Sequence, residues 1–75
     1  MQYKDFGKFI HEKRLDMGVS LNTFAIANNI EPATLCRIEK LQQDIKLSTI
    51  EKLAEGFNVS VSLLINEFES KKGYN

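Results

Sequence analysis

The stretch from Ser20 to Glu39, SLNTFAIANNIEPATLCRIE, leaves the backbone few choices. Its apolar residues keep helical spacing, yet Asn29 and Pro32 interrupt it near the middle, each in its own way. After glycine, asparagine best tolerates the left-handed conformation in which a chain leaves a helix. Proline costs little at a first helical position, where its missing N–H would have had no partner. The pattern predicts two short helices joined by a tight turn. The first opens at Ser20, whose hydroxyl can accept a hydrogen bond from a backbone N–H two or three residues on, and carries Leu21, Phe24, Ala25 and Asn28. The second runs from Pro32 to about Lys40, with Leu35 and Ile38 as its buried stripe and Ala33, Thr34, Arg37 and Lys40 facing outward.

The rest of the chain reads as support for this pair. A helical pattern from about Tyr3 to Met17 places Phe6, Phe9, Ile10 and Met17 on or near one side, and Gly18 supplies the stop. LQQDIK, residues 41–46, has no periodicity and reads as a loop. Leu47, Ile50, Leu53, Ala54 and Phe57 then return to helical spacing. Ser48 and Glu51 have the spacing of a capping box, an earlier start at Lys46 being the alternative. Asn58 is the next stop. Ser60 can cap a last helix with Val61, Leu64, Ile65 and Phe68, and the polar residues 70–75 are expected to fray. With only 4 glycines and 1 proline, helix is favoured over sheet, and residues 1–75 read as one all-α domain of five short helices.

A chain of 75 residues buries only about 60% of the surface it exposes when unfolded, which leaves little room for a large enclosed active site. The single cysteine, Cys36, excludes an intramolecular disulfide and fits a reducing compartment. It reads as a packed or half-buried side chain. No apolar run approaches the roughly 18 residues of a membrane span, and the charged start MQYKDFGK is no secretory signal. A soluble, cytoplasmic protein with no membrane partner is expected. His11 has no second histidine or nearby cysteine to share a zinc ion. No nucleophile stands beside a base, and no glycine-rich phosphate loop occurs. Catalytic residues, a metal, a cofactor and a small-molecule ligand are therefore not expected.

Small, polar and basic groups on the outward side of a short helix suit a DNA major groove, whose base edges offer hydrogen bonds and whose rims offer phosphates. The overall charge works against this. Ten Lys and Arg balance ten Asp and Glu; residues 1–19 are net +1, residues 20–46 net zero and residues 47–75 net −1. A monomer should bind DNA weakly and in a salt-sensitive way, so two linked copies are expected to act together.

The run FGKFIHEKRLDMGVSLNTFAIANNIEPATLCRIEK, followed by LSTIEKLAEGFNVSVSLLI, resembles the Cro/C1-type helix-turn-helix domain of phage repressors, also called the xenobiotic-response-element family. The resemblance covers residues 6–65. It rests on the joint register of Ile10, Arg14, Ala25, Ile30, Leu35, Arg37, Ile38, Glu39, Leu53, Ala54, Val59 and Leu64. It implies a lambda-repressor-like DNA-binding domain of bacterial or phage origin, associated with the nucleoid, with its motif at about 21–40.

What the resemblance implies for single residues follows. Arg14 and Glu39 stand where the family pairs the first helix with the end of the recognition helix. Ala33, Thr34 and Arg37 occupy base-reading positions, and only Arg37 is a strong reader, able to take both acceptors of a guanine. Ser20, Leu21, Asn22, Glu31, Pro32, Lys40, Gln42, Gln43 and Lys46 occupy positions that meet phosphate or set the docking. Leu21 replaces the family's usual glutamine, Leu41 a glycine and Ile45 a proline.

Val59, Val61, Leu64, Ile65 and Phe68 exceed what one helix needs to pack on its neighbours; closing the core is the commoner use of such residues, and the outer ones, Val61, Ile65 and Phe68, are expected to form a twofold contact between two copies. Such dimers place recognition helices about 34 Å apart and select pseudo-palindromic sites. The function read from the sequence is a small transcriptional regulator, a repressor, on double-stranded DNA. The alternative is a protein-interaction module that kept the fold and lost DNA reading.

Overall fold

The computed structural model describes residues 3–40 and 45–71. Within them the chain forms α1 (Tyr3–Asp16), α2 (Leu21–Ala27), α3 (Pro32–Glu39), α4 (Leu47–Gly56) and α5 (Val61–Lys71). The helices surround one core that includes Phe6, Phe9, Ile10, Phe24, Ala25, Ile30, Leu35, Leu53, Ala54, Phe57, Leu64 and Phe68.

Two of the helix ends use one device. Asn29 has φ 59° and Asn58 φ 60°, the left-handed region in which asparagine is tolerated. After α2, the Ile30 N–H donates to Ala25 O at 2.9 Å and the Asn29 N–H to Ile26 O at 3.3 Å. After α4, the Val59 N–H donates to Ala54 O at 2.9 Å and the Asn58 N–H to Glu55 O at 3.0 Å. Each is a Schellman motif that satisfies carbonyls left without a helical partner, and each is followed by a β-branched side chain packed on the core. Gly18, at φ 71°, turns the chain after α1. Ser60 Oγ accepts the Leu63 N–H at 3.0 Å and so caps α5.

Aromatic packing ties the layers together. The Phe6 and Phe68 rings meet edge to face at 5.2 Å, and Phe9 lies 5.4 Å from Phe68, so α5 is fastened to α1 by three rings. Phe24 and Phe57 lie 4.9 Å apart and join α2 to the end of α4.

Several expectations need correction. Phe68 was expected on an outer, partner-facing edge, but its side chain is fully buried between Phe6 and Phe9. Met17 lies beyond the end of α1 and is 48% exposed, so it does not join the α1 core face. Of the two starts read for α4 the earlier one holds: Lys46 is the N-cap, so the capping box at Ser48 and Glu51 does not form, and no side chain caps that end. α2 stops at Ala27, with Asn28 as its C-cap. α5 continues through Ser70 to Lys71, into the stretch expected to fray, and residues 72–75 lie outside the described residues.

Candidate nucleic-acid interface

The geometry starts at Ser20. Its backbone is extended, and its Oγ accepts the Thr23 N–H at 3.2 Å, which fixes where α2 begins. Phe24 and Ala25 face the core, and the left-handed Asn29 reverses the chain. Three contacts then hold the turn. Ile30 is buried beneath it. Asn28 Nδ2 donates to Phe24 O at 2.8 Å. Lys52 Nζ, reaching from α4, donates to Asn29 O at 2.9 Å. Glu31 then serves as the extended N-cap of α3 without a side-chain cap bond, and Pro32 takes the first turn.

α3 is anchored by Leu35 and Ile38, both almost fully buried. The opposite side is open: Glu31, Ala33, Arg37 and Lys40 are exposed, and Pro32 and Thr34 are half-buried. Arg37 is exposed and makes no ion pair among the described residues. Lys40 caps the C-terminus of α3, its N–H directed at Cys36 O and Ile38 O.

The far end of α3 is bound to α1 by charge. Arg14 Nε donates to Glu39 Oε2 at 2.7 Å, and Nη2 donates to Oε1 at 2.9 Å, a two-point fork. Arg14 Nη1 also donates to Val19 O at 2.8 Å, which ties in the turn leading to α2. The Arg14 and Glu39 side chains are only 7% and 4% exposed, so the pair lies within the fold rather than on its rim. Burial pushes the Glu39 carboxyl up, but hydrogen bonds from Arg14 and His11 outweigh it and hold the group below its ordinary value of 4.5. The hydrogen bond to Glu39 pushes Arg14 up in turn, against the opposing effect of burial.

The other positions named from the sequence are distributed as follows. Asn22 is exposed on α2, beside the exposed Ser20. Leu21 is half-buried and packs on the core, which accounts for an apolar residue there. Lys46 is exposed at the start of α4, whereas Gln42 and Gln43 lie outside the described residues. Val61 and Ile65 are half-buried against the core, and Phe68 is far from any such surface in the sense that it is wholly inside. Cys36 is a half-buried free thiol.

Sequence reasoning missed two residues. His11 Nδ1 lies 2.7 Å from Glu39 Oε1, making the pair a cluster of three. Lys52 braces the turn and, with Asn29, Thr34, Lys46, Ser48 and Thr49, helps line a shallow polar cleft of about 310 Å³ next to α3. Neither has a local signal, since their partners lie 28 and 23 residues away in the chain.

No protein-family model matches this chain, and no curated protein matches it. Solved structures do. The restriction-modification controller protein C.AhdI from Aeromonas hydrophila superposes with a TM-score of 0.76 at 26% identity, over 83% of this chain and 94% of that one. Two structures of the clp gene regulator ClgR from Corynebacterium glutamicum superpose with TM-scores of 0.79 and 0.77, each at 20% identity, over 92% and 91% of this chain and 73% and 87% of theirs. At that identity the ClgR structures speak to the fold alone.

Proposed function

We propose that this chain, whose fold is that of the Cro/C1-type helix-turn-helix domains, binds double-stranded DNA through α3 and acts as a small transcriptional regulator in the cytoplasm, on the nucleoid. The observation that carries the reading is Arg37, exposed and without an ion pair among the described residues, beside Ala33 and Lys40 on a helix whose other side is fixed by Leu35, Ile38 and Glu39. A helix held from behind can bring a guanidinium fork to a guanine edge in the major groove. Ala33 and Thr34 suit a thymine methyl or a phosphate, and Ser20, Asn22, Lys40 and Lys46 suit the phosphates on either side. The likeness to a restriction-modification controller protein supports the regulatory reading.

Two copies act together in this proposal, meeting about a twofold axis through Val61 and Ile65 and reading a pseudo-palindromic site as a repressor. With zero net charge one domain alone attracts DNA weakly, and the joint action of two linked copies offsets that.

Fluorescence-anisotropy titration with random-sequence duplex DNA at two salt concentrations, for wild type and Arg37→Ala, tests the proposal. Salt-sensitive binding that Arg37→Ala weakens is expected. An absence of binding at low salt would overturn it and leave a fold retained for protein contact. The exposed Glu31 at the start of α3, which would repel a phosphate backbone, favours that second reading.

A further inference from the structure

His11 stands one turn before Arg14 on α1, and its ring meets the carboxylate that Arg14 already holds. Glu39 Oε1 lies 2.7 Å from His11 Nδ1 and 2.9 Å from Arg14 Nη2, and Oε2 lies 2.7 Å from Arg14 Nε. A carboxylate receiving two guanidinium N–H groups is ionised and presents only lone pairs. A ring nitrogen can approach it this closely only with a proton between them, so the proton is on Nδ1 and the ring donates to Glu39. The 3.3 Å separation between Arg14 Nη2 and His11 Nδ1 is then two donors crowding one acceptor.

This changes what the cluster can do. A single fork holds a carboxylate in its own plane but leaves it free to hinge about the line of the fork. A further donor from the preceding turn of α1 shares Oε1 with the fork but reaches it from a direction of its own, Nδ1 standing 3.3 Å from Arg14 Nη2, and keeping that directional bond aligned opposes the hinge. His11 is 43% exposed, so it contributes little to the core, and its contact with Glu39 is its main tie to α3.

We propose that His11 is a positioning residue that, through Glu39, sets the angle at which α1 presents α3. Its consequence for Arg37 and base reading rests on the DNA-binding function proposed above, whereas the positioning itself does not.

Three variants separate the donor from the ring. His11→Asn keeps an N–H near the place of Nδ1, His11→Gln carries one toward the place of Nε2, and His11→Leu has none. Ring ¹⁵N spectra of the wild type are expected to show the Nδ1–H tautomer. Residual dipolar couplings are expected to give His11→Asn the wild-type orientation of α3 relative to α1, and to rotate α3 in His11→Leu and His11→Gln. On a duplex enriched by the wild-type protein from a randomised library, His11→Leu should bind about fivefold more weakly, the scale of one hydrogen bond, and His11→Asn should match the wild type. An Nδ1 without its proton in the neutral ring, or unchanged couplings in His11→Leu, would overturn the proposal. Altered couplings with no enrichment of any duplex would uphold the positioning role and overturn the DNA-binding function. Altered couplings with undiminished binding of an enriched duplex would overturn the link between the two.

Discussion

Gly56 on α4 lies directly against Asn28 at the end of α2: a Cβ at Gly56 would stand 2.7 Å from Asn28 Nδ2 and 2.7 Å from Phe24 Cζ. The amide it would strike is not free to move aside, because it donates to Phe24 O at 2.8 Å, and the Phe24 ring is buried. Alanine in place of a helical glycine ordinarily stabilises by up to about 1 kcal/mol. Here crowding wins, and Gly56→Ala is expected to destabilise the domain by about 1–3 kcal/mol, the usual cost of overpacking. That would lower the melting temperature by about 4–8 °C per kcal/mol for a domain of this size. A thermal melt of the variant at or above the wild type would show that α2 and α4 are not held this closely.

Glu39 makes stability depend on pH. Its folded-state pKa lies below the ordinary value of 4.5, because donation from Arg14 and His11 outweighs burial. A depressed carboxyl stabilises the fold at pH values above its unfolded pKa, and that contribution is lost as pH falls through the lower folded value. Glu39→Ala removes the carboxylate and strands a guanidinium only 7% exposed. A loss of about 3–5 kcal/mol near pH 7 is expected, far more than a surface pair would give. Glu39→Gln is the milder variant, and its deficit against the wild type should shrink as urea unfolding is repeated from pH 7 down to pH 3. A deficit independent of pH would mean that the charge of Glu39 has no part in it.

Asn29 and Asn58 sit at nearly the same positive φ, and the same substitutions should affect both alike. Glycine adopts this region freely, so Asn29→Gly and Asn58→Gly are expected to leave stability within about 0.5 kcal/mol of the wild type, whereas alanine should cost about 1 kcal/mol at either site. Asn29 differs in one respect, since Lys52 Nζ donates to its carbonyl. That bond comes from the backbone and survives the change of side chain. Chemical denaturation of the four variants checks the parallel; an alanine as stable as glycine at Asn29 would argue against the left-handed turn.

These asparagines also show why much of the fold was legible in the sequence. Ser20, Asn29, Pro32, Asn58 and Ser60 act on backbone groups within five residues of themselves, so their signals are local. The reading of Leu35 and Ile38 as the inner stripe of α3 needed only helical periodicity. Periodicity does not say how deep a face lies, however. Phe68 shares the spacing of Val61 and Ile65, yet only the meeting of α5 with α1 decides that it is enclosed by Phe6 and Phe9. His11 and Lys52 escaped for a similar reason: both find their partners across the tertiary fold, and in the sequence each is one polar residue on a helix surface.

The depth of Phe68 bears on the proposed twofold contact, because it separates folding from association on one helix. Phe68 is fully buried, so Phe68→Ala should cost about 3–5 kcal/mol of stability through the cavity it leaves. In a domain of this size that is enough to leave a large unfolded fraction. Any loss of self-association in that variant would merely follow from unfolding. Val61 and Ile65 are half-buried, so part of each side chain faces outward. Ile65→Ser is expected to keep the helical circular-dichroism spectrum at 20 °C, with a lowered melting temperature, while weakening dimerisation at least about tenfold, equivalent to roughly 1.4 kcal/mol. Sedimentation equilibrium on the wild type and Ile65→Ser, across low to high micromolar concentrations, makes the comparison. Equal dissociation constants would move the twofold contact off α5, and a wild type that stays monomeric at high micromolar concentration would remove the preformed dimer altogether.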